Sequence, residues 1–305
     1  MHQPVLLEET ISYLITDLSG IYVDCTLGGG GHLKRLLASL QQDARVIAID
    51  KDRDILEKTR KTIQVANVTF CHSDFSRLTQ VLAQQNINKV DGIMLDLGVS
   101  SFQLDIADRG FSFHEDARLD MRMNRDQDLT AWDIVNNYSE AEISAILFEY
   151  GEERYARRIA RRIVTKREEN SINTTLQLVD IIKSCVPAGY KRGKHPARKT
   201  FQALRIAVNG ELDALQSVLP QAVDLLKTGG RLCVITFHSL EDRIVKHFMQ
   251  EKARDCICPP GLPICICGHQ AELKINTRKS VEPDAQECEQ NSRARSARLR
   301  VATKL

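Results

Sequence analysis

The chain has no apolar run approaching the ~20 residues that a membrane-spanning helix needs, which argues against an integral membrane protein. Its first residues, MHQPVLLEETISYLITDL, lack the basic start and apolar core of an export signal. Charge is not of one sign either. Lys and Arg number 42 against 40 Asp and Glu, for a formal net charge of +2, so the molecule is no basic coat protein. Any attraction to nucleic acid must come from local clustering. No internal repeat is visible, which removes solenoids and propellers from consideration. Hydrophobic residues at 43% and charged residues at 27% are ordinary for a folded protein and exclude disorder. Nine cysteines, an odd count without an export signal, read as reduced thiols in the cytoplasm.

Within 305 residues there is room for one α/β domain and a smaller companion. Val5 to Leu18 has apolar residues at helical spacing. Strand-like runs then alternate with helical ones: Ile21 to Cys25, Arg45 to Asp50, Val68 to Cys71 and Val90 to Leu97 read as strands, and His32 to Leu40, Asp54 to Ala66 and Leu78 to Gln85 as helices. That alternation means crossover units and a parallel sheet. From about Asp105 to Lys199 the pattern is helical and charged. This predicts an inserted all-helical domain over 105–199 within a sheet domain formed by 1–104 and 200–305. The rhythm resumes with helices from Phe201 to Lys227, the strand Arg231 to Phe237 and the helix Glu241 to Ala253. Glu272 to Thr277 and Ala297 to Thr303 are candidates for a closing edge pair, joined by a polar linker, Lys279 to Arg295, expected to be mobile.

Three features converge on an adenosine-bearing ligand. The first strand runs through Asp24-Cys25-Thr26 into four glycines, Gly28 to Gly31, and then a helix. Glycine permits positive φ and close backbone approach, and a helix start presents free N–H groups. Asp50 closes the second strand about 20 residues on, where an acid commonly accepts from ribose hydroxyls. Asp74-Phe75 follows the third strand and Asp96 ends the fourth, so all lie along the sheet rim where open α/β folds bind ligands. The glycines do not complete G-x-G-x-x-G from either Gly28 or Gly29, so no pyrophosphate site is specified. A phosphate-free, positively charged adenosine compound fits a rim carrying Asp24, Asp50, Asp74 and Asp96, and S-adenosylmethionine is one. Each feature alone has a plainer reading: a glycine run is often a tight turn, and an aspartate at a strand end is often a helix cap.

With these residues in place the chain resembles the bacterial 16S ribosomal RNA cytosine-N4 methyltransferases. The matching segments are HQPVLLEE, DCTLGGGGH, AIDKD, HSDF, DGIMLDLGVSSFQLD, RGFSF with ARLDMRM, GEERYARRIA, HPARKTFQALRIAVN and GGRLCVITFHSLEDRIVK, spread over nearly the whole chain. The resemblance implies a Rossmann-like class I methyltransferase sheet with the helical insert, S-adenosylmethionine as methyl donor, and as substrate a cytosine in the decoding centre of the small ribosomal subunit. Carried over residue by residue, it places Gly30, Gly31 and His32 at the cofactor, Asp50 at its ribose, Phe75 near the adenine, and Asp96 and Gln103 where the fourth strand and its loop reach the cofactor.

The exocyclic amine of cytosine is a poor nucleophile because its lone pair is delocalised into the ring. An acceptor for an N–H, and close alignment with the methyl group, are therefore required. Asp96 or the carbonyls of Leu97-Gly98-Val99 are candidates. Asp96 is expected mainly to orient the cofactor and the loop carbonyls to position the base. Attack through a ring carbon would need a cysteine nucleophile, and the loop after the fourth strand has none. Phe102, Phe111, Phe113 and Phe237 could stack on an exposed base, with ordinary packing as the plainer role. His238 could contact the base or cap the following helix.

Basic residues cluster in three places. Arg154, Arg157, Arg158, Arg161 and Arg162 share a helix whose apolar stripe is Tyr155, Ile159 and Ile163, so the arginines face outward. Lys191, Arg192, Lys194, Arg198, Lys199 and Arg205 occur without an acid, and the tail adds Arg293, Arg295, Arg298 and Arg300. Phosphate neutralisation is the functional reading and a solvated face the plainer one. Among these, Arg198, Lys199 and Arg205, with His238, are the residues assigned to RNA. Finally, Cys256, Cys258, Cys265 and Cys267 form two C-x-C units. They either hold a structural zinc ion or are simple thiols, while no catalytic metal is indicated. Rival readings are a methyltransferase for another RNA or a small molecule, a dinucleotide-dependent dehydrogenase, and a non-enzymatic RNA-binding module.

Overall fold

The computed structural model describes residues 4–187, 190, 195–258, 264, 266–291 and 293–305. In chain order the elements are α1 Leu7–Leu14, β1 Ile21–Asp24, α2 Gly31–Ser39, β2 Arg45–Asp50, α3 Arg53–Thr62, β3 Val68–His72, α4 Leu78–Gln84 and β4 Val90–Asp96. There follow α5 Ser101–Asp105, α6 Ala131–Asn137, α7 Glu140–Glu149, α8 Ala156–Glu169, α9 Thr175–Cys185, α10 Arg198–Asn209 and α11 Glu211–Leu225. The chain closes with β5 Leu226–Thr236, α12 Ser239–Lys252, β6 Leu273–Ile275, α13 Ala285–Gln290 and β7 Arg298–Lys304. These elements form two compact units, one of Met1–Gly98 with Leu212–Leu305 and one of Val99–Glu211.

The first unit is a seven-stranded sheet in the order β3-β2-β1-β4-β5-β7-β6. β1 to β5 are parallel, and β7 runs antiparallel to both its neighbours. The winding reverses at β1, whose partners are β2 and β4, and a ligand crevice opens at the carboxyl ends of strands at such a switch point. The strands read as nearly continuous apolar runs because both faces are covered. Val23, Ile47, Ile49, Ile93, Leu95 and Val234 pack against α4, α11 and α12 on one face. The alternate residues Tyr22, Val46, Ala48, Met94, Cys233 and Ile235 pack against α1, α2 and α3 on the other.

The expected closing strands are present, but β7 inserts between β5 and β6, so the pair extends the sheet from β5 outward. The linker expected to be mobile contains α13. The Glu287 carboxylate on that helix accepts the Leu6 amide at 2.9 Å, a contact spanning the length of the chain. Two tail arginines expected at phosphate, one buried and one exposed, meet an acid of the fold. Arg300 is buried and meets Asp242 of α12 through two bonds of 2.7 and 3.0 Å, and Arg298 lies 3.4 Å from the same acid.

The second unit is helical. Ile134, Ile143, Leu147, Ile159, Ile163, Leu178, Ile182 and Leu204 from α6 to α10 form its core. Four of its helices begin with a reciprocal cap: Ser100 with Gln103, Thr130 with Asp133, Ser139 with Glu142 and Thr174 with Gln177. Each satisfies two N–H groups that a helix start otherwise leaves bare. The helix read from sequence as returning to the sheet domain, α10, packs here through Phe201, Ala203, Leu204 and Val208. At its last residue, Asn209 receives the Met123 amide at 2.7 Å and donates to the carbonyls of Met121 and Arg205 at 2.8 Å each. The buried Arg109 guanidinium donates to the carbonyls of Arg122 and Met123. The segments RGFSF, ARLDMRM and the end of HPARKTFQALRIAVN are thus knitted to one another. Replacing Asn209 by Ala strands the Met123 amide and two carbonyls, and about 1–3 kcal/mol of stability should be lost, read as a lower midpoint in thermal or urea unfolding.

Candidate active site

The turn after β1 is built from its hydrogen bonds. Gly28 (φ +48°) donates its amide to the Asp50 carboxylate at 2.8 Å, and its carbonyl accepts the Thr59 hydroxyl at 2.7 Å. Gly30 has φ +72°, and a Cβ there would approach Thr59 and Ile63 within 2.7 and 2.8 Å. A Cβ on Gly31 would collide with the Pro4 ring. Both glycines are therefore required, one by conformation and crowding and the other by crowding alone. α2 starts at this turn, and His32 in its first turn is buried, with Nε2 3.1 Å from the Val5 carbonyl and Nδ1 3.5 Å from Asp96.

Four acids gather at the strand ends and the helix beside them. Asp24 is buried at the tip of β1. One oxygen accepts the Thr26 amide at 3.0 Å, and the other, Oδ2, has no hydrogen-bond partner among the described residues. Burial, augmented by Asp50, raises its pKa to about 7. Asp50 accepts the amides of Gly28 and Asp52, both at 2.8 Å, yet burial still raises its pKa to about 6. Asp96 ends β4, with its amide bonded to the Thr26 hydroxyl at 2.6 Å and Oδ1 buried without a hydrogen-bond partner among the described residues. Burial, then the charges of Asp24 and Glu241, push its pKa well above the carboxylate range.

The fourth acid, Glu241, is the one that sequence reading missed. It is buried on α12, its carboxylate takes the amides of Phe237 and His238, and its Oε1 lies 3.1 Å from His238 Nε2. His238 is the N-cap of that helix, with Nδ1 accepting the Glu241 amide at 3.4 Å. The spacing His-Ser-Leu-Glu carries the signal of a reciprocal cap three residues apart.

Of the other expected residues, Asp74 caps the short turn at Phe75–Arg77 by accepting the Ser76 amide at 2.8 Å, and Phe75 is half-buried against the sheet core. Gly98, with φ +95°, turns the chain beside Phe237 just beyond Asp96. Gln103 belongs to the helical unit, where it is buried and its side-chain oxygen accepts the Ser100 amide at 2.9 Å. Cys25 is held well above its ordinary pKa by burial and by Asp24, so it is a poor nucleophile.

In the helical unit Arg198 is exposed, and Arg157, Arg158, Arg161 and Arg162 are exposed above a buried Ile159 and Ile163. Lys199 donates to the Glu152 carbonyl at 2.7 Å, and Arg205 pairs with Glu211 through bonds of 2.8 and 2.9 Å. Lys191, Arg192 and Lys194 lie outside the described residues.

Buried carboxylate oxygens without partners are costly unless a ligand meets them. Here they belong to Asp24 and Asp96, on a rim with no phosphate-cradling motif. Their chemistry fits a cation with hydrogen-bond donors, as the ammonium of S-adenosylmethionine is, with the sulfonium adding positive charge, and Asp50 retains lone pairs for a ribose hydroxyl. The winding of the sheet and this rim define a Rossmann-like methyltransferase that uses S-adenosylmethionine.

Comparison with known proteins narrows the class. The chain belongs to the MraW methylase family, whose pattern matches residues 1–305. It is 52% identical over 305 residues to the ribosomal RNA small subunit methyltransferase H of Caldicellulosiruptor saccharolyticus, covering 100% of this chain and 99% of the relative. It is 50% identical over 305 residues to the protein of the same name from Clostridium botulinum, with the same coverage. An rRNA methylase of known structure from Streptococcus thermophilus aligns with a TM-score of 0.43 at 12% identity, covering 100% of this chain and 99% of that one.

Neutral Asp24 and Asp50 favour the fold, because each holds its proton more tightly there than in an unfolded chain. That contribution is complete below about pH 4 and fades as pH rises through about 6 for Asp50 and about 7 for Asp24. A cation placed beside them favours the charged forms. S-adenosylmethionine should therefore bind more tightly as pH rises from about 5.5 to 7.5 and release protons on binding near pH 6.5. Calorimetry in buffers of different ionisation enthalpy measures the release. A pH-independent affinity with no proton release would contradict this electrostatic account.

Proposed function

We propose that the chain methylates the exocyclic N4 of a cytidine in the decoding centre of 16S ribosomal RNA. The observation that carries the ribosomal substrate is family membership over the whole chain, with relatives at 52% and 50% identity that bear the name ribosomal RNA small subunit methyltransferase H. The cytosine and its N4 position rest on the resemblance of the quoted segments to the cytosine-N4 enzymes, with the small ribosomal subunit as partner and the cytoplasm as the place of action.

S-adenosylmethionine, when bound, supplies the electrophilic methyl group. On this reading Gly30, Gly31 and His32 bring backbone against it, Asp50 holds its ribose, and Phe75 covers its adenine. Gln103 is assigned to the cofactor by the family resemblance, while in the helical unit its side-chain oxygen accepts the Ser100 amide. Asp24 and Asp96 turn their unpartnered oxygens toward its positive charge. The Leu97 and Gly98 carbonyls hold an N–H of the target amine and so free its lone pair. Asp96, made strongly basic as a carboxylate by burial and by Asp24 and Glu241, is also suited to take the proton that the amine loses. A covalent route through cysteine has no support at this rim, where Cys25 stays protonated.

On the helical unit the exposed Arg198 and its neighbour Lys199 bind phosphate. Arg205 is assigned to RNA as well, with its guanidinium shared with Glu211. His238 contacts the base region through the position its capping role gives it.

Mass spectrometry of small-subunit RNA from cells with and without the gene tests the assignment. The methyl group on a decoding-centre cytidine should vanish with the gene, and an unchanged RNA would refute it. Asp96→Ala should lower the methylation rate by about 10²-fold or more, measured as labelled methyl transfer to small subunits, with Asp96→Asn similarly impaired because the shape survives but the charge does not. Charge reversal at Arg198 and Lys199 to Glu should weaken RNA binding and flatten its salt dependence, with S-adenosylhomocysteine binding unchanged in the same preparation.

A further inference from the structure

The loop between α12 and β6 lies apart from the rim acids and plays no part in the proposed chemistry. Among its described residues the large apolar side chains are turned outward: Ile257 is 46% exposed, Ile264 75% and Ile266 79%. These three described side chains bury little apolar surface and so add little packing of their own. Yet the loop brings sulfurs together from both of its ends. The Sγ atoms of Cys256, Cys258 and Cys267 all lie within 4.8 Å of one another. Cys256 and Cys267, eleven residues apart, have their sulfurs 3.7 Å from each other. A disulfide would require about 2 Å. A tetrahedral zinc ion with bonds of about 2.3 Å sets its sulfurs about 3.8 Å apart. The Cys258 amide also points at Cys256 Sγ, at 3.4 Å. An N–H directed at sulfur stabilises a thiolate and orients it toward a metal.

We propose that Cys256, Cys258 and Cys267 bind a structural zinc ion that ties the end of α12 to the start of β6. Three thiolates leave one tetrahedral position, which a further side chain or water fills. Binding requires the thiols to ionise, so zinc uptake releases their protons and strengthens with pH. The metal crosslinks the two ends of the loop and has no role in methyl transfer.

The test uses the full chain, untagged by histidine and purified with a reductant but no chelator. Elemental analysis should find about one zinc per chain, and cobalt(II) exchanged into the site should show thiolate-to-metal charge transfer with the strong visible bands of tetrahedral coordination. Cys256→Ser, Cys258→Ser and Cys267→Ser should each reduce bound zinc at least severalfold. Amide hydrogen exchange should quicken in the loop and stay unchanged in the strands of the sheet, which establishes that the variants remain folded. A wild-type chain that carries no zinc and gives no charge-transfer band would overturn the proposal. So would zinc retained in full by all three variants, or a Cys256–Cys267 disulfide found in protein alkylated at lysis.

Discussion

Parallel strands set their carboxyl ends along one edge of the sheet, so side chains at the ends of neighbouring strands are brought near one another, and here those side chains are acids. Asp24 and Asp96 sit at the tips of adjacent β1 and β4, with Asp50 on the next strand and Glu241 on the helix after β5. Four carboxyls in a poorly hydrated rim cannot all carry charge, and the raised pKa values of Asp24, Asp50 and Asp96 express that conflict. A bound cation relieves it. The oxygens of Asp24 and Asp96 that lack a hydrogen-bond partner among the described residues are, on the proposed reading, where the cation is met. The glycine turn, the Thr26 bridge to β4 and the capped start of α12 all serve to hold these acids at close quarters. Had the rim carried a helix start with a completed glycine motif and no acids, the same sheet would suit a dinucleotide phosphate instead.

Much of this was legible in the sequence because parallel sheets announce themselves. Runs such as Arg45–Asp50 and Val90–Asp96 are largely apolar and each is closed by an acid at the rim, so β1 to β4, and the terminal acids of β1, β2 and β4, could be read directly. The placement of α10 could not be. Its stripe of Phe201, Leu204 and Val208 records that one face is buried but not what buries it, and an amphipathic helix looks alike whichever core receives it. α13 was hidden for a related reason. It has six residues and a polar composition, and its tie to Leu6 crosses 281 positions, beyond anything a local pattern can carry.

The positive residues teach a complementary lesson. From sequence, Arg205, Arg298 and Arg300 are indistinguishable from Arg198, since each is a cation with no acid within three residues of it in the chain. In the fold, Arg300 and Arg298 meet Asp242, and Arg205 meets Glu211, while Arg198 faces solvent. A buried arginine with bidentate geometry fastens structure, and removing its partner leaves a charge that water cannot reach. Segment-level resemblance has the same limit. RGFSF holds Phe111 and Phe113, read from sequence as candidates to stack on a base, yet Arg109 of the same segment and Asn209 bond the backbone of 121–123. Those motifs shape the helical unit whatever else they touch.

Two adjacent residues on α12 show how closely chemistry and fold are joined. Glu241 faces the rim, adding to the charge that makes Asp96 basic, while Asp242 turns to the tail and binds Arg300 of β7. The first turn of one helix therefore supports the site on one side and the sheet extension on the other. Its last turn is anchored too. Lys252 bonds the Glu272 carboxylate, which also receives Lys304 of β7, just where the cysteine-bearing loop departs and returns. A helix held at both ends gives Glu241 little freedom to move away from Asp96. Because the electrostatic pressure on Asp96 depends on that proximity, the tail of the chain, remote from the rim in sequence, contributes to the basicity on which the proposed chemistry relies.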